Sequence, residues 1–292
     1  AENKKGELIA LPIEATANGM LVNKTAFKNA GIDLDKVSAT WTWTEWEDIV
    51  KKVIAANSTM KYGLAVDFTP HRFSTLMYQF NGHFLNANQT GMEFNNPGTI
   101  ETLKFMKKLQ DDGVMPKSVW LGSENPAELF QAGLVACHIG GSWNINAYNK
   151  NVKNFEWGAV RMPKGKINSS VPGGKFIASF KNCAHPEAAV EFLKVFADKA
   201  HNEKYAEGTF NISSRTDAAV QYPSNTADFA VFSSELKDTP AVTANIEGMA
   251  SFSIFAKVTS YIKEQIVQVL LGLETPEAAA ANVDKQGAAF FK

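Results

Sequence analysis

Gly140-Gly141-Ser142-Trp143-Asn144 is the stretch whose residue types could do chemistry. It follows Glu128 to Gly133 and the apolar run Leu134 to Ile139, an order that predicts a short helix, a glycine stop, a strand and a glycine-rich turn. Two chemistries suit it. In the first, Ser142 is a nucleophile. An elbow of the form Gly-x-Ser-x-Gly exposes a serine at a strand-to-helix turn. Here Asn144 replaces the last glycine, and the downstream histidines His185 and His201 offer no arguable partner. In the second, the site only binds. Two glycines remove side chains beside a large flat ring, so a ligand can reach both the Trp143 face and backbone N–H groups. The plainer reading is a core tryptophan behind a tight turn, since tryptophan is highly buried on average.

Passive binding suits the other polar residues better than catalysis does. The indole of Trp143 fits the C–H face of a pyranose, and amide or imidazole groups fit its hydroxyls. Gln79, Asn81, His71 and Asn144 lie near predicted element ends, where loops carry sites. Taken one at a time, each reads first as a solvated loop residue. Gly173 and Gly174 read as a turn or as a cleft lining, and Arg215 reads as a surface residue or a ligand contact.

Several classes fall away. No Gly-x-Gly-x-x-Gly and no Gly-x4-Gly-Lys-Ser/Thr occurs, which excludes the dinucleotide and P-loop patterns. No His-Glu-x-x-His or Cys-x-x-Cys occurs, and five histidines are scattered, so neither metal nor cofactor is expected. Lys plus Arg is 29 against Asp plus Glu at 30, with no basic run, which argues against a nucleic-acid partner. The two cysteines, Cys137 and Cys183, read as buried thiols rather than as a cystine. No apolar run reaches the ~18 residues of a membrane span.

The elements that must position these residues read as alternating strands and helices, an α/β pattern. Leu8 to Ile13 and Met20 to Val22 predict two strands, the first an edge or crossing strand because Pro12 lacks a ladder N–H. Thr42 and Glu45 form a capping box before Trp46, Ile49, Val50, Val53 and Ile54 at helical spacing. Helices are predicted over Phe73 to Phe80 and from Asn96-Pro97 to Gly113. A strand is predicted over Phe176 to Phe180, then a helix after His185-Pro186 with Ala189, Phe192, Leu193 and Phe196 on one face. A last apolar stripe runs from Ile254 to Leu270.

The order of these segments resembles the carbohydrate-binding proteins of ABC importers, the extracellular solute-binding proteins related to the maltodextrin-binding protein. The resemblance is carried by Gly6 to Ile13 with Met20 to Phe27, Thr40-Trp41-Thr42-Trp43-Thr44-Glu45, Asn95-Asn96-Pro97, Phe130 to Gly133 before Gly141-Ser142-Trp143, Pro172-Gly173-Gly174, the Pro186 to Leu193 helix, and Leu271 to Ala279. Val22 stands where a tyrosine is common in the family. The resemblance implies that Trp143 stacks on sugar and that His71 holds an aromatic contact position. It implies that Gly173 and Gly174 line the cleft, that Phe252 lies near a further contact, and that Glu14 to Asn18 form the hinge facing the ligand. No arginine cluster occurs at these positions, which favours a neutral saccharide.

The expected fold is therefore a two-lobed periplasmic-binding-protein fold of type II with an incomplete N-terminal lobe. Residues 15–169 plus 245–292 form the C-terminal lobe; 1–14 form a hinge strand, and 170–244 a remnant of the other lobe. About a hundred residues, most of a small lobe, precede this region in the family. The expected function is an extracytoplasmic receptor, periplasmic or lipid-anchored, that closes around a sugar and delivers it to the membrane permease. Its expected partners are the sugar, the permease subunits, and either a preceding segment or another copy of the chain. The alternatives are a hydrolase using Ser142 and the same fold binding another polar solute.

Overall fold

The computed structural model describes residues 6–241, 243 and 255–291. Its strands are β1 (Leu11–Asn23), β2 (Tyr62–Val66), β3 (Val135–Gly141), β4 (Trp157–Val160), β5 (Pro172–Ile177) and β6 (Ile212–Ser213). The helices, in chain order, are α1 (Lys24–Asn29), α2 (Leu34–Ser38), α3 (Trp43–Ala56), α4 (Pro70–Gln79), α5 (Pro97–Asp111), α6 (Lys117–Trp120) and α7 (Pro126–Gln131). They continue as α8 (Asn144–Asn151), α9 (Pro186–Ala197), α10 (Lys199–Thr209), α11 (Thr226–Asp238), α12 (Phe255–Leu270) and α13 (Pro276–Gly287).

The expected capping box forms: Thr42 Oγ1 accepts from the Glu45 amide, and Glu45 accepts from the Thr42 amide. It starts α3, whose Trp46, Val50 and Val53 are fully buried. Thr69 caps α4 and Asn96 caps α5, each with a proline at the first helical turn. Gly133, at φ +71°, ends the turn after α7 and sends the chain into β3.

One strand organises the sheet. The sequence predicts two short strands around Ala15 to Gly19, but β1 is a single strand of 13 residues. Its second half lies between β3 and β4, with β2 parallel to β3; its first half pairs with β5 and β6. The small residues of the middle show no hydrophobic period, yet pairing on both sides holds them extended, so tertiary hydrogen bonding decides over local pattern. Pro12 sits beside the irregularity in the β1–β5 register, where a missing N–H is tolerated.

Around the second half of β1 a continuous core forms from Met20, Leu21, Val22, Phe27, Trp46, Phe73, Phe84, Phe94, Phe130 and Tyr148, joined by Val258, Ile262 and Ile266 of α12. The other end differs. The α9 helix has no buried residue, and Phe176, Phe180 and Phe192 are 51%, 83% and 60% exposed. The predicted strand to Phe180 stops at Ile177. Both cysteines are free; Cys137 is buried, which pushes its thiol up to about 12, whereas Cys183 is only half-buried, a correction to its expected burial.

Candidate functional site

Asn18 on β1 pairs in register with Gly141 at the end of β3, and the Ser142 amide donates to the Ala17 carbonyl, 3.1 Å away. The glycine-rich turn is thereby fixed to the middle of β1. Trp143 follows and is partly exposed, outside the buried core. A Cβ on Gly141 would overlap Cε3, Cζ3 and Cη2 of the indole, so the six-membered ring packs directly on the glycine. Asn144 opens α8, and its Oδ1 accepts from the Gly141 amide at 3.0 Å, closing the turn.

Helix α4 supplies the facing wall. Its residues 71, 72 and 75 share a face, being three and four apart. Asn18 Nδ2 donates to Thr75 Oγ1 at 2.7 Å. The Arg72 guanidinium lies over the Trp143 ring, 4.5 Å from its centroid, and donates from Nη1 to His71 Nδ1. That bond leaves the His71 proton on Nε2. Burial, then the neighbouring Arg72 charge, push the His71 pKa down to about 4, so the ring is neutral at physiological pH.

Arg72 also faces Asp67, with Nε 3.4 Å from Oδ2. Asp67 Oδ1 lies 2.9 Å from His138 Nε2, and His138 Nδ1 lies 2.6 Å from the Tyr148 hydroxyl. His138 is fully buried on β3. Burial of Asp67 would raise its pKa, but His138 and Arg72 outweigh that and hold the carboxyl below the usual carboxylate value.

Two polar atoms at this crossing are buried without a partner: Asn18 Oδ1 and Ser142 Oγ. An unsatisfied buried acceptor and hydroxyl are rare in native proteins and call for an explanation. The Ser142 hydroxyl meets no imidazole or carboxylate, so the elbow pattern lacks the base that would activate it.

The remaining candidates lie elsewhere. Glu14 is buried, with Oε2 accepting from Asn211 Nδ2 at 2.6 Å and Tyr205 at 3.1 Å, and Oε1 paired with Lys175 at 2.8 Å. Gln79 joins Trp43 Nε1 to the Ser169 carbonyl. Asn81 is exposed and takes a left-handed φ of 63° after α4. Gly173 and Gly174 pair with Thr16 and Ala15, and a Cβ at Gly174 would lie 2.5 Å from the Glu14 carbonyl oxygen, so they let β5 approach β1. Arg215 holds Asp217 through two 2.8 Å bonds and donates to the Ala197 carbonyl. It lines a cavity of about 690 Å³ with Ala15, Tyr222 and Phe229. That cavity is on the opposite face of β1 from Asn18, because alternate strand residues point opposite ways and Gly19 faces Phe232 of α11. Phe252 lies outside the described residues.

Among the described residues no three or more His, Cys, Asp or Glu side chains gather as a metal site, and no helix is long and apolar enough to cross a membrane.

Residues 1–244 match the model of the bacterial extracellular solute-binding proteins. The chain belongs to that family. It is 23% identical over 313 residues to the sn-glycerol-3-phosphate-binding periplasmic protein of Pectobacterium atrosepticum, covering 99% of this chain and 67% of the relative. It is 28% identical over 176 residues to the galactooligosaccharide-binding protein of Bacillus subtilis, covering 56% and 40%. The fold matches an ABC substrate-binding protein of Listeria monocytogenes solved in complex with cycloalternan, at a TM-score of 0.83 and 20% identity, covering 99% of this chain and 73% of that one. This solute-binding protein therefore has the two-lobed α/β architecture expected from the resemblance, over about three quarters of that structure's length.

Arg72, Asp67 and His138 were not among the sequence candidates of this binding protein. Only the adjacency of Arg72 to His71 pointed to it. The Asp67–His138 pairing joins residues 71 positions apart and leaves no sequence pattern.

Proposed function

We propose that this chain is a non-enzymatic receptor that binds a saccharide against Trp143 and hands it to the permease of an ABC importer. The observation that carries this reading is a partly exposed tryptophan lying beside two unpartnered polar atoms, Asn18 Oδ1 and Ser142 Oγ, at the crossing of β1 and β3. A partly exposed indole with the Arg72 guanidinium over its ring, and polar groups of β1 and the Ser142 turn next to it, suits a sugar, whose C–H groups and hydroxyls alternate. The name of one relative adds support, a galactooligosaccharide-binding protein, whereas the sn-glycerol-3-phosphate-binding relative fits the alternative of another polar solute.

The saccharide we propose is neutral. The site holds one arginine beside one aspartate, so its formal charges balance. Residues 15–169 with 245–292 are taken as one lobe, and 1–14 with 170–244 as the hinge strand and part of the other. The family places the receptor outside the cytoplasm; periplasm or a lipid-anchored surface both suit it. The exposed Phe176, Phe180 and Phe192 are read as covered by a segment outside these 292 residues or by a second copy, because apolar patches beyond a few hundred Å² are uncommon on soluble monomers.

Calorimetry of the full-length protein against a saccharide panel tests the function. The expected result is a Kd of about 1 μM, or roughly −8 kcal/mol, with no change in the sugar. A hydrolysed sugar product, lost in Ser142→Ala, would instead establish the hydrolase.

A further inference from the structure

We propose that Arg72 is a specificity-determining residue of the Trp143 site, held so that its outer N–H groups grip two adjacent oxygens of the ligand. The inference rests on the saccharide reading and names the residue that selects within it.

The guanidinium has five N–H groups in a fixed fork. Its Nη1 donates to His71, and its Nε faces Asp67 at 3.4 Å, too loosely for a hydrogen bond. Nε is buried without a hydrogen-bond partner. Nη2 makes no hydrogen bond to any described residue, and it is not among the buried unpartnered atoms. Two donors on Nη2 and one on Nη1 are thus left for a ligand, on an edge already stacked beside Trp143. The His71 proton on Nε2 adds another donor to the same wall. An arginine fork matches a pair of oxygens on neighbouring carbons or on one carboxylate, and a lysine ammonium cannot reproduce that two-point grip.

The fork is held from three sides. Trp143 holds its face, Asp67 its Nε edge, and His71 its Nη1 end. Asp67 is itself fixed by His138, 2.9 Å away, and His138 by Tyr148 at 2.6 Å. Asp67, His138 and Tyr148 are positioning residues: they touch Arg72 directly or through one another and orient it. A side chain carrying about 2 kcal/mol of rotamer entropy is thereby set before the ligand arrives, and pre-setting raises affinity by lowering the ordering cost of binding.

The test uses the full-length protein, with calorimetry for methyl glucosides, methyl galactosides and the matching uronic acids. For the sugar that binds, Arg72→Lys is expected to lose at least tenfold in affinity while leaving the unfolding midpoint in place. Asp67→Asn is expected to lose less, about threefold, and to shift the Arg72 Nε–H resonance, which ring current from Trp143 moves upfield in the parent protein. A deoxy analogue lacking one oxygen of the gripped pair is expected to bind the parent weakly and Arg72→Lys no worse. The arm that binds better, diol or carboxylate, tells which oxygen pair the fork takes. Unchanged affinity in Arg72→Lys, or an Arg72 Nε–H resonance indifferent to Trp143→Phe, overturns the assignment while the receptor reading stands. Failure of the parent protein to bind any sugar overturns both.

Discussion

Gly141 and Trp143 fit together only because Gly141 has no side chain: a Cβ on the glycine would overlap three atoms of the indole. The glycine seats the ring at the end of β3, where Arg72 reaches it from α4.

Gly141→Ala is therefore expected to expel the indole from its seat. The backbone there does not have a positive φ, so the cost is steric, on the order of 1–3 kcal/mol of stability for an overpacked site. Saccharide affinity should drop about tenfold or more, and near-ultraviolet circular dichroism should change. An alanine variant with parental affinity and spectrum would show that the ring's seat is unimportant.

Trp143→Ala is expected to lose about 2 kcal/mol or more of binding, as buried aromatic anchors do. Its stability should fall by less, because the side chain is partly exposed and lies outside the core. Thermal unfolding beside calorimetry separates the two effects. A variant that no longer folds would return Trp143 to a core role.

Glu235 on α11 gives a pH dependence. Burial pushes its carboxyl pKa up to about 7, against the Met162 amide and Arg161, which pull it down. A raised folded-state pKa favours folding below the unfolded value of 4.5, and that contribution is lost as pH climbs through 7. Its size is on the order of 3 kcal/mol. Glu235→Gln keeps an acceptor for Met162 and removes the titration. Its stability relative to the parent should rise between pH 5 and pH 8 and then level off. A difference constant across that range would count against the shifted carboxyl.

The exposed face of α9 gives a solubility test. Phe192 is 60% exposed and packs edge-on against Phe196 at 5.2 Å. In the 292-residue chain, Phe192→Lys is expected to alter stability by no more than about 0.5 kcal/mol, as exposed substitutions do. It should also reduce concentration-dependent association in light scattering. Loss of several kcal/mol would mean that the helix already has a partner within the chain.

Much of this molecule is legible from residue order. The Thr42–Glu45 capping box, the Asn96-Pro97 start of α5, the stop at Gly133 and the Gly-Gly-Ser-Trp turn depend on neighbours a few positions apart, and such rules can be read along a chain. The family resemblance and the uncovered apolar face of α9 were also readable, because both follow from pattern. Three things were decided only by tertiary structure. The middle of β1 became one strand because β3, β4, β5 and β6 pair along it, which no hydrophobic period announces. Side-chain alternation along a strand whose extent was not foreseen put the Arg215 cavity on the far face of β1, and Glu14, four residues along the strand from Asn18, went to a buried cluster with Tyr205 and Asn211. Arg72 reached Trp143, and His138 reached Asp67, across about 70 positions each. Packing makes such long-range pairs, and the sequence names only their members.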